Sequence, residues 1–431
     1  MPWSMPSWSD ATRLLLAATA LLAAGCGDST SSTPAPVEVV WTVDTASRFE
    51  PCGCTAGMMG GLIRRAAQAP PAGHPTTLSL EGGGWSAGSE DHHRLRTAAY
   101  LAALPGAGVQ AVGLGAREVA LGAEVLSPLI AASPVPIVNA NLRSAAGGPL
   151  GRPLVRLTVG GTAYAITGVV AGGLTGPGGL RSEDPGEAVA ALAADAGAAS
   201  LVVIADLDEA GLTALARRVP TIAIIVGGAV AAPTGQPLVV GRTRIVAQAN
   251  HGKALGRWTV GSDTCQFTLL VDTLPKDPTQ EANAAALQAL LARTPLAVDR
   301  PVPVPAGHAT STGPAACATC HPAAALVHGK SGHAKALAVL TAKGMDMDPD
   351  CLRCHVTGLG QPGGWVRRQG PATLGSVSCE SCHGPGSAHV ASGGREPLLP
   401  VTPATCVGCH DAENSPRFTY PAYWSRIAHG K

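Results

Sequence analysis

Charge is what this chain has least of. Asp, Glu, Lys and Arg make up 14% of its 431 residues, against a usual share of about a quarter, and the formal net charge is +1 with no basic stripe. That pattern excludes a nucleic-acid partner from the expectations, since phosphate recognition needs clustered Lys and Arg. Long apolar runs are missing too. The one candidate, Leu14 to Ala24, falls short of the roughly 20 residues a transmembrane helix needs. No repeat is evident beyond one short motif, and no acid/base set at catalytic spacing accompanies it. The shortage of charge goes with heavy use of Ala, Gly and Pro, a GC-rich coding bias rather than a functional signature.

What is present is a fivefold residue pattern used four times. Cys-x-x-Cys-His occurs at Cys317, Cys320 and His321; at Cys351, Cys354 and His355; at Cys379, Cys382 and His383; and at Cys406, Cys409 and His410. With 12 Cys and 13 His in the chain, composition alone predicts roughly 0.01 such motifs. Each reads as covalent c-type haem attachment, with the thiols bonded to the haem vinyls and the His free to reach the iron from the proximal side. Four motifs predict four c-type haems. Zinc sites built from Cys-x-x-Cys pairs would not require a His after every pair.

The first 25 residues carry Arg13, the short apolar run and a small-residue exit before Cys26, an export signal. Leu22-Ala23-Ala24-Gly25-Cys26 resembles the bacterial lipoprotein box, which implies lipidation of Cys26 and anchoring of the mature chain to a membrane. An ordinary signal peptide is the alternative. Either way the chain leaves the cytoplasm, which agrees with the haem motifs, since c-type haem attachment in bacteria is completed outside the cytoplasmic membrane. Gly27 after the Cys favours the periplasmic face of the outer membrane. Residues 26–37 then read as a Ser/Thr/Pro-rich tether.

Residues 38–275 alternate short apolar runs with Ala/Leu-rich helical stretches, which predicts an α/β domain with parallel pairing and two late antiparallel strands. The order of motifs resembles the catalytic domain of 5′-nucleotidases within the calcineurin-like metallophosphatases, implying an α/β metallophosphatase-like sandwich. Asp44 stands in the first ligand segment, Gly60 to Arg65 is similar to the Gly-Gly-x-x-Arg segment, and Ser79 to Gly84 to the Gly-Asp strand end. Gly115-Ala116-Arg117-Glu118 takes the place of Gly-Asn-His-Glu, and Gly227-Gly228-Ala229 that of Gly-Gly-His. Two catalytic metals about 3.5–4 Å apart need His, Asp and Asn ligands. Here Ala46, Gly84, Ala116, Arg117, Asp206 and Ala229 replace them and only Asp44 is kept. The expectation is a retained fold with its phosphatase lost, although a phosphoesterase with a haem appendage stays as an alternative.

Eight cysteines hold haem and one is the lipid site, leaving Cys52, Cys54 and Cys265. The Pro51-Cys52-Gly53-Cys54 segment resembles one found before Gly-Gly-Leu in exported relatives of the phosphatase fold. Cys52 and Cys54 are candidates for a thiophilic metal or a redox pair, or for a structural role with one bridged to Cys265. Residues 276–312 read as an amphipathic helix capped by Thr279, then a Pro-rich linker.

Residues 313–431 are short for four porphyrins, so a mainly α and irregular domain is expected, with haem forming much of its core. Pro322 can open one helix, and Ser331 can cap another running to Ala342. This segment, with Ser331-Gly332-His333 after the first motif and Gly384-Pro385-Gly386 and His389 after the third, resembles the tetrahaem cytochrome that accepts electrons from hydroxylamine oxidoreductase. The resemblance implies His333 and His389 as distal iron ligands, with His429 a third. His308 is the candidate fourth, while His328 reads as packing or surface. With His308 bound, the haem at His355 is closed; without it, that haem can take a small molecule. The expected function is a membrane-anchored periplasmic electron carrier with redox protein partners. A small nitrogen-compound oxidoreductase at a five-coordinate haem is the alternative.

Overall fold

The computed structural model describes residues 36–51, 57–71, 73–230, 232–248 and 251–429. The signal segment, Cys26 and the Cys52/Cys54 pair lie outside them. The described residues belong to one compact unit.

Among the described residues, fourteen strands form in chain order. They are β1 Glu38–Thr42, β2 Thr77–Glu81, β3 Ala111–Val112, β4 Leu142–Arg143, β5 Val155–Val159, β6 Thr162–Val170 and β7 Thr175–Gly176. The second half comprises β8 Leu180–Ser182, β9 Ser200–Asp206, β10 Ile222–Gly227, β11 Leu238–Val240, β12 Thr243–Ala247, β13 Ala254–Thr259 and β14 Gln266–Leu269. One sheet runs β14-β13-β1-β2-β3 and a second runs β11-β12-β10-β9-β6-β5. The expected parallel pairing is present at β1/β2, β6/β9, β9/β10 and β10/β12, and β13 and β14 close the first sheet antiparallel.

The sandwich follows from side-chain alternation, because successive residues of a strand point to opposite faces. In β9, Val202 and Ile204 enter the core between the sheets, where they join Trp41, Leu80 and Val226. Leu201, Val203 and Ala205 instead face an outer core with Val189 and Leu212. A strand buried on both faces reads as the continuous apolar run seen in the sequence. Seven helices accompany these sheets: α1 Leu62–Gln68, α2 Asp91–Ala103, α3 Ala116–Ala120, α4 Ala123–Ala132, α5 Pro185–Ala196, α6 Glu209–Arg218 and α7 Pro278–Arg293.

Helix α7 is capped two residues earlier than the sequence implied. Asp277, not Thr279, is its N-cap, accepting from the Gln280 backbone N at 2.9 Å. Pro278 then occupies the first helical position, where its fixed φ suits a helix start. Leu287 and Leu291 of α7 are buried in the same core as Leu101 and Leu104, so this helix completes the N-terminal region rather than leading away from it.

The C-terminal segment holds eight short helices: α8 Pro314–Cys320, α9 Pro322–Lys330, α10 Ala336–Ala342, α11 Pro349–His355, α12 Cys379–His383, α13 Ser387–Ala391, α14 Pro403–Val407 and α15 Tyr420–Trp424. Helix α9 does open at Pro322. Ser331 is not an N-cap: it ends α9, and its hydroxyl donates back to the His328 carbonyl at 2.6 Å. A 3₁₀ turn at His333–Lys335 separates it from α10, because a hydroxyl bonded backward leaves nothing to cap the next helix.

Polar clamps join the two regions. Arg367 is fully buried and donates to both carboxylate oxygens of Asp299 (2.6 and 2.8 Å) and to the carbonyls of Leu291, Thr294 and Met347 (2.6, 2.7 and 2.9 Å). Arg96 of α2 pairs with Asp348 at 2.7 Å and Asp350 at 3.0 Å. Glu413 takes Arg48 at 2.8 Å and Lys253 at 3.0 Å. The Pro-rich linker is pinned as well, with Val302 bridged to Pro362.

Candidate functional site

The Cys-x-x-Cys spacing lies on short helices in the first three motifs, α8, α11 and α12. Residues three apart share a helix face, so each pair presents two thiols side by side. The motifs also approach one another. The Cys317 thiol lies beside that of Cys379, and Cys354 beside Cys409, while Cys382 interacts electrostatically with Cys406. First meets third, third meets fourth, and fourth meets second.

Three histidines after the motifs each face a histidine from elsewhere. The ring centres of His321 and His389, of His333 and His410, and of His383 and His429 are all 6.1 Å apart. Two imidazoles on opposite sides of one metal would stand about 6 Å apart, given bonds of about 2 Å and roughly 1 Å from ring centre to nitrogen. The repeated distance therefore fits an iron between each pair.

Backbone acceptors orient these rings. Nδ1 of His389 is 2.6 Å from the Glu396 carbonyl, Nδ1 of His429 2.8 Å from that of Ile427, and Nδ1 of His383 3.3 Å from that of Leu399. His355 Nδ1 is likewise 2.7 Å from the Ala336 carbonyl. A donor bond at Nδ1 fixes the tautomer and leaves Nε2 as the ligating atom. Burial holds His333, His383 and His410 below the usual imidazole range, which favours the neutral form that binds metal. His308 stands exposed on a turn. His328 Nε2 sits 2.8 Å from the Val377 carbonyl, within hydrogen-bond reach.

The N-terminal region keeps the outline of a second site at the strand ends. Asp44 follows β1, and its carboxylate accepts from Arg117 Nη2 at 2.8 Å on one oxygen and contacts His251 Nδ1 with the other. Asp206 accepts from the Ala116 backbone N at 2.7 Å, and burial, then the Asp44 charge, push its carboxyl up. Asp44, Ala46 and Ser47 hold φ of 52, 50 and 53°, a left-handed conformation that side chains other than glycine rarely adopt. Gly84 has φ +81°, and a Cβ there would lie 2.8 Å from Asp44. Glu118 accepts from the backbone N of Gly84, Ser86 and Gly115 at 2.8, 2.7 and 2.9 Å, and burial pushes its carboxyl up to about 7. It ties down the loop.

These residues do not fit two metals. A guanidinium occupies the only retained ligand, and the position of the bridging Asp has no room for a side chain. His251 was not legible as a participant, since it lies 207 residues from Asp44 and matches none of the motif positions considered. Cys265 is a free thiol packed against the sandwich core, and burial pushes it up to about 11. A bridge to Cys52 or Cys54 would involve residues outside those described.

The fold and the site together define a fusion of a metallophosphatase-like α/β sandwich with a small, mainly helical cytochrome segment. NAD nucleotidase (NadN) of Haemophilus influenzae is similar to 65% of this chain, over 64% of its own, at 15% identity with a TM-score of 0.50. Sulfate thiohydrolase SoxB of Thermus thermophilus is similar over 59% of this chain and 60% of its own, at 20% identity and a TM-score of 0.48. Residues 316–384 match the family described as cytochrome c554 and c-prime. Over 118 residues, 24% of this chain, the sequence is 36% identical to cytochrome c-554 of Nitrosomonas europaea. The matched region spans 46% of that relative. The C-terminal segment is thus similar to c-type cytochromes of the c554 kind over the part that carries the motifs.

Proposed function

We propose that this chain is an exported, lipid-anchored tetrahaem cytochrome that passes electrons between redox protein partners, its phosphatase-like region serving as scaffold and docking surface. The observation that carries this reading is the repeated 6.1 Å spacing of three histidine pairs. In it, the eight motif cysteines hold four haems; His321, His355, His383 and His410 are proximal ligands; and His389, His429 and His333 are distal to the first, third and fourth. His308 is kept as the candidate distal ligand for the second. Bound haem supplies a one-electron couple, whereas the chain supplies ligation, spacing and burial. Contacts between the motifs support a single run from first to third to fourth to second. Cys26 would anchor the chain at the periplasmic face of the outer membrane, and Cys52 and Cys54 stay candidates for a thiophilic metal or redox pair.

Haem quantification and absorbance spectra test the reading. Four haems per chain are expected, and His389→Ala should convert one of them from low to high spin. Fewer haems, or an unchanged spectrum, would overturn it. Cys26→Ser should release the protein from membranes. Nitric oxide binding to the reduced wild-type chain would replace His308 ligation with an open haem at His355, and with it the nitrogen-compound oxidoreductase reading.

A further inference from the structure

Away from both sites, the start of α2 gathers a set of metal-capable side chains. Ligand atoms of Glu90, His92 and His93 lie within 4.8 Å of one another, the group of this kind found among the described residues. His92 is 3% exposed and its buried Nδ1 has no hydrogen-bond partner. Its other nitrogen, Nε2, is 3.1 Å from Asp350 Oδ1, and His93 Nε2 is 2.9 Å from the same oxygen.

We propose that Glu90, His92 and His93 form a binding site for a divalent transition-metal ion of the zinc class, with Asp350 orienting both imidazoles from behind.

Three observations point there. First, His92 Nδ1 faces Glu90 Oε2 and Asp91 Oδ1, each at 3.5 Å. A neutral imidazole that donates from Nε2 to Asp350 turns the Nδ1 lone pair toward two carboxylate oxygens, which is repulsive unless a cation lies between them or the ring takes up a second proton. Second, the 3.5 Å between His92 Nδ1 and Glu90 Oε2 is the spacing of neighbouring ligand atoms in a tetrahedral zinc site, where bonds of about 2.0–2.2 Å set edges of roughly 3.3–3.6 Å. Third, a carboxylate on the far nitrogen of each His is the usual support for a metal-bound imidazole. Mixed nitrogen and carboxylate donors suit zinc better than calcium or magnesium, which take oxygen.

The surroundings favour entry and retention. Glu90 is the N-cap of α2 with no capping bond from its side chain, which is 66% exposed. Asp91 is held by the backbone N of His92 at 2.8 Å and of Ala297 at 2.7 Å. A Cβ at Gly88 would fall 2.6 Å from His93 Nδ1, so glycine keeps the space beside that nitrogen clear. Asp350 immediately precedes Cys351, so the ion would tie the sandwich to the second haem motif.

The test uses the haem-loaded full chain carrying Cys52→Ser, Cys54→Ser and Cys265→Ser, so that thiols cannot supply a zinc site. After chelator dialysis, zinc is titrated and bound metal counted against iron. One zinc per chain is expected, with a thermal midpoint that rises with zinc concentration as linkage requires. Glu90→Gln and His93→Asn should each weaken binding at least about 10-fold, and Asp350→Asn by roughly 10–100-fold. No zinc beyond background overturns the proposal and leaves His92 as an imidazolium between carboxylates. Zinc retained at full affinity in both Glu90→Gln and His93→Asn marks binding elsewhere and overturns it equally. Glu90 is exposed, so its variant reports binding even where the His93 variant disturbs folding.

Discussion

The two regions of this chain solve the problem of a core in opposite ways. The N-terminal sandwich buries Val39, Trp41, Leu78, Val202, Ile204 and Val246 between its sheets and has a further apolar core outside each sheet. The C-terminal segment has one small apolar cluster, Leu340, Cys351, Leu352 and Val356, with few neighbours. What it has instead are paired imidazoles and paired thiols. One region's order comes from its own side chains; in the other, on the proposed reading, haem would fill the space, and metal-ligand free energy would become folding free energy.

The largest test of that contrast withholds haem. Expressed without haem maturation, the chain should keep a protease-resistant sandwich through α7 and lose everything after about residue 312; limited proteolysis with mass analysis reads the boundary. A C-terminal segment that stays resistant would break the comparison.

Next in size is the clamp between the regions. Arg367→Ala leaves the Asp299 carboxylate with only Arg368 and the Leu296 backbone N, and the loss should approach but not reach the roughly 3–5 kcal/mol typical of breaking a buried pair. Denaturant titration should show the transitions of the two regions separating. Arg367→Lys should recover only part of the loss, since an ammonium cannot reproduce the planar fork.

A smaller effect is expected from acid. At the junction, burial alone would raise Asp299, Glu413 and Asp350, but hydrogen bonds from Arg367, from Arg48 and Lys253, and from His92 and His93 outweigh it, and all three carboxyls are lowered. A depressed carboxyl contributes stability that is present above its unfolded value and is lost as pH falls through its folded one. Starting from ordinary values of 3.8 for Asp and 4.5 for Glu, the seam should weaken progressively below about pH 4.5. Thermal midpoints across pH 7 to 3 measure this, and Asp299→Asn should flatten the slope.

The smallest effect is expected at Asp44, where the residues present do not fit two metals. Arg117→Ala breaks a partly exposed pair, 43% and 29% exposed on its two sides, worth about 0–1 kcal/mol. The variant should still hydrolyse no generic phosphoester with added manganese or zinc. Turnover there would restore the phosphoesterase reading.

Much of the sandwich was legible because its signals are local. The apolar run Leu201 to Ala205 lies inside β9, one residue short of it at each end, and the Ala/Leu-rich stretch Glu209 to Arg218 is α6. Helix α4 escaped notice since Pro128 sits inside it, and a proline usually argues against a helix interior. The haem motifs were plain in sequence, while His333, His389 and His429 came through resemblance. Nothing local announces the seam: Arg48 and Glu413 are 365 residues apart, and Arg367 has the same one-dimensional appearance as any surface arginine. Such contacts are set by tertiary packing, which periodicity does not encode.

The buried arginine carries a lesson about inheritance. Arg367 arises after the second haem motif, yet Leu291 and Thr294 belong to the end and edge of α7 and Asp299 to the turn beyond. Any break introduced between residues 300 and 366 would therefore leave a permanent cation on one fragment and an acid on the other, each shaped for a partner it no longer has. The two regions therefore behave as one unit of exchange: a swap of either half would have to bring its matching side of this contact along.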